Sequence, residues 1–294
     1  MIVESPGSRN RVAGVRGTIE KLGETAMIRS HYRHMRSDDG MRRHVAFLVL
    51  GFLAAWAIAG RTADPAAELL AGQEKNCPKC NLPGAHLKRF DLTAGNLAGA
   101  NLAGAILHGA NLAGADFGGA NLTGANLNKA DLKRANLIAA RIGEAMLYEA
   151  DLSGADLTRA DLAGAMMGSS RLTFAKLGAA NIADADLADA QMHGAKLQAA
   201  DLSRSDLSQT ILRRAELVEA RLEAASLVRA DLRGADFEHA DLRNADLMRA
   251  DLSGADLSGA DLEGARLLLA KLTDTKLDGA DLAGTIMPDG RTHK

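Results

Sequence analysis

From Leu82 to Met287 every position numbered 2 or 7 within its block of ten is apolar, 42 positions in all, without one slip of phase. Most are Leu; the exceptions are Phe117, Ile142, Met167, Ile182, Met192, Phe237 and Met287. The residue two before each is nearly always Ala, the residue just before is mostly Asp or Asn, and Gly recurs two after. An α-helix advances about 100° per residue, so a spacing of five throws successive leucines about 140° apart. A straight strand alternates faces, so the same spacing puts them on opposite faces in turn. What remains is a chain that turns one corner per pentapeptide. Each central Leu then points into a shared interior, the small Ala shares it, and Gly sits at a corner that needs unusual dihedrals.

Units such as Asn96-Leu97-Ala98-Gly99-Ala100 and Asp251-Leu252-Ser253-Gly254-Ala255 closely resemble the pentapeptide-repeat proteins. The resemblance covers about two-thirds of the chain and is specific for fold. It implies an all-β architecture, a right-handed, quadrilateral parallel β-helix with four pentapeptides per coil. Ten to eleven coils follow, and at a strand spacing of roughly 4.8 Å the rod is about 50 Å long. Such solenoids are quasi-one-dimensional, each coil stabilised by its neighbours. The repeat takes up 81–287, which leaves no room for a second globular domain. Aromatic residues are only 3%, which suits a core too narrow for rings.

The N-terminal part reads differently. Residues 1–40 are Arg-rich without apolar periodicity and are expected to be disordered. Met41-Arg42-Arg43-His44 then precedes an uncharged apolar stretch from Val45 to Gly60. That is short for a membrane span, which needs about 20 residues, but suits a secretory signal, with Ala57-Ile58-Ala59 as a small-x-small cleavage site. Read from Met41 the signal is complete, so Met41 is a candidate start and 1–40 an untranslated extension. The segment 41–60 is thus a signal peptide or a retained signal-anchor helix. Either reading puts the repeat outside the cytoplasm, in a periplasmic or other extracytoplasmic location.

Residues 61–80 form a linker or N-terminal cap. Asp64, Pro65 and the run Ala66–Ala71, closed by Gly72, signal a short helix with Leu69 and Leu70 on its apolar side. An open β-helix end exposes unpaired backbone and core, so this helix is expected beside the first coil; a free linker is the alternative. Cys77 and Cys80 continue the repeat's phase and point inward. In an oxidising compartment a structural disulfide is the natural reading, a local staple at the first coil, with a redox role as the alternative. Haem attachment is disfavoured by Asn81 after the second Cys, and zinc lacks two ligands. The tail 288–294 is short and carries no capping helix, so the C-terminal edge is a candidate for end-to-end homodimerisation, which the family resemblance supports.

Residues twenty apart stack in this geometry, so outward columns can be read directly. Asp246 lies beneath Arg266, Asp251 beneath Lys271, Asp256 beneath Lys276, Asp151 beneath Arg171 and Asp156 beneath Lys176, all solvated pairs worth at most about 1 kcal/mol each. Asp241, Asp261 and Asp281 stack without an intervening cation, but their spacing matches no calcium loop, so no metal and no cofactor is expected. Large outward apolar residues gather on the side carrying Leu87, Leu107 and Leu127: Ile106, Met146, Tyr148, Met166, Val228, Met248, Leu268, Leu269 and Ile286. Ile138, Phe174, Ile211 and Val218 are all that the other three sides carry. Contiguous apolar patches mark partner surfaces, and Met suits adaptable binding. The expected partner is another protein or a second copy, and not nucleic acid.

His86, His108, His193 and His239 are scattered, and no nucleophile elbow, phosphate loop or zinc spacing occurs, so catalysis is not expected. The sequence therefore reads as a non-catalytic exported scaffold. The alternative comes from the resemblance, since some family members mimic B-form DNA and bind DNA gyrase. That needs a strongly acidic surface, whereas removal of residues 1–59 leaves 26 basic and 32 acidic residues.

Overall fold

The computed structural model describes residues 65–72 and 74–294, and the apolar stretch 45–60 and the Arg-rich extension lie outside them. Every parallel backbone bridge joins residues twenty apart, from Asn81 with Asn101 to Arg266 with Ile286, so one coil is twenty residues and four pentapeptides. The pairing is by single bridges rather than extended strands. A corner every five residues leaves one residue per side in bridging register.

One unit shows why the chain turns there. The Ala155 N–H returns to the Leu152 carbonyl at 3.0 Å, and Gly154 between them has φ of +67°. A hydrogen-bonded turn with positive φ at its third residue is the type II kind. The same left-handed corner recurs in every unit from Lys79 to Gly284, at non-glycine residues as well as glycines. The remaining N–H groups of the unit are all satisfied: Asp151 to Ala130 O below at 2.9 Å, Leu152 to Arg171 O above at 2.7 Å, and Gly154 to Thr173 O above at 2.9 Å. The last, Ser153 N–H, donates to Asp151 Oδ1 at 3.1 Å. The prevalence of Asp and Asn before each Leu therefore has a local cause. Their side chain accepts the one N–H that is left without a backbone carbonyl from either neighbouring coil.

The core is a stack of leucines flanked by alanines, buried from Leu82 to Leu267. The expectation of a core too narrow for rings is corrected here, because Phe117 and Phe237 are both fully buried at central positions. Ser205 and Thr210 replace the interior Ala and return their hydroxyls to Leu202 O and Leu207 O, both at 2.7 Å.

The two ends differ. At the N-terminal edge helix α1, Pro65–Leu70, sends Leu69 fully into the core, against which Ala66, Cys80, Ala85 and Phe90 also pack, each partly buried. Cys77 and Cys80 are joined by a disulfide across the first turn. The incoming chain passes so close that a Cβ on Gly95 would sit 2.5 Å from Lys75 O, which explains Gly in an Ala slot. At the C-terminal edge Leu272, Leu277, Leu282 and Met287 are only partly covered. The tail folds back on one side alone, where Ile286 bridges Thr292 in antiparallel sense and His293 N–H donates to Thr285 O at 2.8 Å. Among the described residues no helix is long and apolar enough to cross a membrane.

Candidate interaction surface

The register divides the rod into four sides. Side 1 carries Leu82 and every twentieth residue after it, side 2 Leu87, side 3 Leu92 and side 4 Leu97. On sides 1, 3 and 4 acids stack against bases, as Arg221 to Asp201 at 3.1 Å, Arg171 Nε to Asp151 at 3.2 Å, Lys176 Nζ to Asp156 at 3.2 Å and Lys276 to Asp256 at 2.7 Å, and side 2 has one such pair at its upper end, Arg266 to Asp246 at 3.0 Å. Corners pair too, as Arg204 with Asp184 at 2.7 Å and Lys129 with Glu149 at 3.3 Å. The Lys276 hydrogen bond, with Ser258, holds the Asp256 carboxyl down to about 2. Asp231 is likewise down to about 2, where the Arg233 guanidinium outweighs burial and Arg213 adds to it. Asp151 stays below the usual range although burial pushes it up, because Ser153 and Lys133 donate to it. Among the described residues no group of His, Cys, Asp and Glu could hold a metal ion.

Side 2 departs from this pattern. Met146 and Met166 bridge each other, and Tyr148 leans over Gly168, whose added Cβ would lie 3.5 Å from the ring. Tyr148 and Met166 are exposed, and Met146 is half-buried. Higher up, Val228, Met248 and Leu268 stand in one column, linked by Arg229 N–H to Met248 O and Arg249 N–H to Leu268 O, both at 2.9 Å. All three are half-buried, Leu269 beside them is exposed, and Ile286 stands over Arg266 in the adjacent column. The eight residues thus form two clusters. Between them lie the coils of Asp186, Ala188, Asp206 and Ser208, where the column narrows to Gly168, Ala188 and Ser208.

Ile106, Met146, Met166 and Ile286 occupy the slot that most units fill with an Asp or Asn acceptor, and that Ile211 on side 3 and basic residues such as Arg141 and Lys176 fill elsewhere. Ile106, Met146 and Met166 each forgo a local hydrogen bond worth about 0.5–1.5 kcal/mol, whereas Ile286 forgoes none, because the residue two on is Pro288, which has no N–H. Only at Met146 is the loss made good, by Asn128 Oδ1 of the coil below accepting from Tyr148 N–H at 2.8 Å. Departures from a fold's own local rule concentrate where function is carried.

Phe174, expected outward on side 3, is 62% exposed, the largest fraction among the big hydrophobes of the described residues, and its contact with His193, edge to face at 5.4 Å, is one the sequence reading did not foresee.

Residues 77–109, 100–137, 135–173, 170–214, 215–254 and 250–287 match the family model described as pentapeptide repeats, in eight copies. Among solved structures, the chain is similar to HetL, a pentapeptide repeat protein involved in heterocyst differentiation regulation from the cyanobacterium Nostoc sp. strain PCC 7120. That match has 33% identity, covers 78% of this chain and 97% of HetL, and has a TM-score of 0.40. A pentapeptide repeat protein of the Arabidopsis thaliana thylakoid lumen is 34% identical over 34% of this chain and 66% of its own, TM-score 0.26. Full-length QnrB1, a plasmid-mediated fluoroquinolone resistance protein, is 18% identical over 73% and 94%, TM-score 0.26. No curated protein gives a significant match.

Proposed function

The chain belongs to the pentapeptide-repeat family, and from that premise we propose that it is a rigid, non-catalytic scaffold, exported from the cytoplasm, that binds protein partners through side 2. The observation that carries the reading is that, at Met146 and Met166, outward apolar side chains stand where most units hold an Asp or Asn side-chain acceptor. Export rests on the basic and apolar segment 41–60, as a cleaved signal or a retained anchor. The half-buried Leu272, Leu277 and Leu282 favour a second contact, end-to-end pairing with another copy at the C-terminal edge. DNA mimicry is less well supported, because Arg221, Arg266, Lys271 and Lys276 interrupt the acidic columns.

The test is recovery of partners from an envelope fraction by the full chain and by Met248→Glu and Leu268→Glu variants, with oligomeric state measured by light scattering. Loss of a defined partner with unchanged melting supports the reading. Recovery and oligomeric state both unchanged would sink it. A gyrase supercoiling assay, expected to show no inhibition, separates the mimic.

A further inference from the structure

Asp186 and Asp206 bridge each other between the two apolar clusters of side 2. Other stacked carboxylates have a basic side chain on at least one member: Lys133 for Asp131 and Asp151, Arg243 for Asp241 and Asp261, Lys276 for Asp256. Among the described residues Asp186 and Asp206 make no ion pair, and neither does Asp189 at the adjoining corner. One oxygen of each stacked acid accepts its own turn N–H, Ala188 at 3.0 Å and Ser208 at 2.9 Å. All three carboxylates are exposed. Beside the upper cluster the sign reverses, since Arg229 and Arg249 are exposed and make no ion pair among the described residues.

Resting on the reading of side 2 as a binding face, we propose that its occupant is an amphipathic α-helix of a partner protein, with a basic middle and an acidic end. The helix lies along the rod with its apolar residues on Tyr148 and Met166 at one end and on Met248 and Leu268 at the other. Tyr148 to Leu268 is six coil steps, about 29 Å at ~4.8 Å each, which a helix of about 19 residues spans at 1.5 Å per residue. A helical stripe presents a side chain every turn, about 5.4 Å, close to the coil step. An extended strand presents one on the same face only every ~6.6 Å. The small column Gly168, Ala188 and Ser208 leaves room for the helix body, with Asp186, Asp189 and Asp206 facing its basic middle. Arg229 and Arg249 face its acidic end. A single helix buries less than a standard interface, so binding is reversible and weakens with salt.

The test is selection of ~20-residue helical peptides from a display library on the immobilised full chain, using the length derived above. Affinities of the winners are then measured against variants. The expected winners carry Lys or Arg in the central turns and Asp or Glu at one end. Their affinity falls about tenfold on Asp186→Lys with Asp206→Lys and is lost on Met248→Glu. The Asn versions of both acids keep the turn acceptor and so separate charge from folding; they are expected to show an intermediate loss. Winners that need Met248 but are indifferent to charge at Asp186 and Asp206 overturn the helix proposal and leave side 2 as a binding face. Winners indifferent to both Met248→Glu and Tyr148→Glu overturn both.

Discussion

Replacing corner residues should change stability in opposite directions according to what stands there now. Ala139, Ala179 and Ala224 hold φ of 53°, 53° and 56°, and all three are exposed. An L-residue in the left-handed region costs about 1–2 kcal/mol, while Gly costs about 0.5–1 kcal/mol more entropy on folding than Ala. Ala→Gly at each site should therefore stabilise by roughly 0.5–1 kcal/mol. Little packing is lost, because the removed methyls face solvent. Ala139 and Ala179 are two coils apart and Ala224 is on another side, so the three effects should nearly add, to about 2 kcal/mol. For a unit of this size that raises the melting temperature by about 4–8 °C. Gly104 is the mirror experiment. Its φ is +64° and nothing lies within 4 Å of an added Cβ, so Gly104→Ala isolates the backbone term and should lower melting by about 1–4 °C. Thermal unfolding followed by circular dichroism reads both. A triple glycine variant that melts at or below the parent, or a neutral Gly104→Ala, refutes the account of the corners as borne strain.

Three further expectations follow from the hydrogen bonds and charges. Asn121→Ala removes the acceptor for Thr123 N–H and Oγ1 at 3.2 and 2.7 Å and the rung to Asn101 at 3.1 Å. It should cost about 1–3 kcal/mol in denaturant unfolding, and a neutral result would contradict the role given to the Asp and Asn positions. Ser170→Ala should stabilise by about 1 kcal/mol, because the Ser170 hydroxyl is buried without a partner in a slot that is mostly Ala; a loss of stability would mean that the hydroxyl has a partner after all. Asp231 and Asp256 are lowered to about 2 in the fold, below the ~3.9 of an unfolded Asp. Their contribution is thus present above about pH 4 and lost as pH falls towards 2. The Asp231→Asn, Asp256→Asn variant should show a flatter fall over that window, and an unchanged slope would remove these two from the acid response.

The interior was legible because period five is a rigid constraint on position. Leu82 and Leu267 obey one rule although nine coils apart, and the bridges return the twenty-residue register that the stacked columns assume. The N-terminal edge was partly legible, since Pro65 and Gly72 bound a helix and its Leu69 is buried. What stayed hidden depends on cumulative three-dimensional facts. Leu272 is only half-buried although it holds the same repeat position as the fully buried Leu252. The Phe174 ring lies against Gly194, where an added Cβ would sit 2.5 Å from it, a contact that shows only once the coils are stacked. The nine apolar residues on side 2 were seen as one face, yet the two-coil gap at Asp186 and Asp206 shows only when columns are followed rung by rung. The reason for Asp and Asn before each Leu also required the hydrogen-bond geometry of a whole unit.

The register has a hereditary consequence. Duplicating sixty nucleotides in frame adds one whole coil, lengthens the rod by a rung of about 4.8 Å and leaves every face aligned. Duplicating fifteen adds a single corner, still buries Leu where Leu belongs, but rotates everything beyond it by a quarter turn, carrying Met248 and Leu268 away from the line of Tyr148. Lineages of such proteins can therefore vary in length freely in steps of four units, while smaller steps preserve folding and scramble recognition.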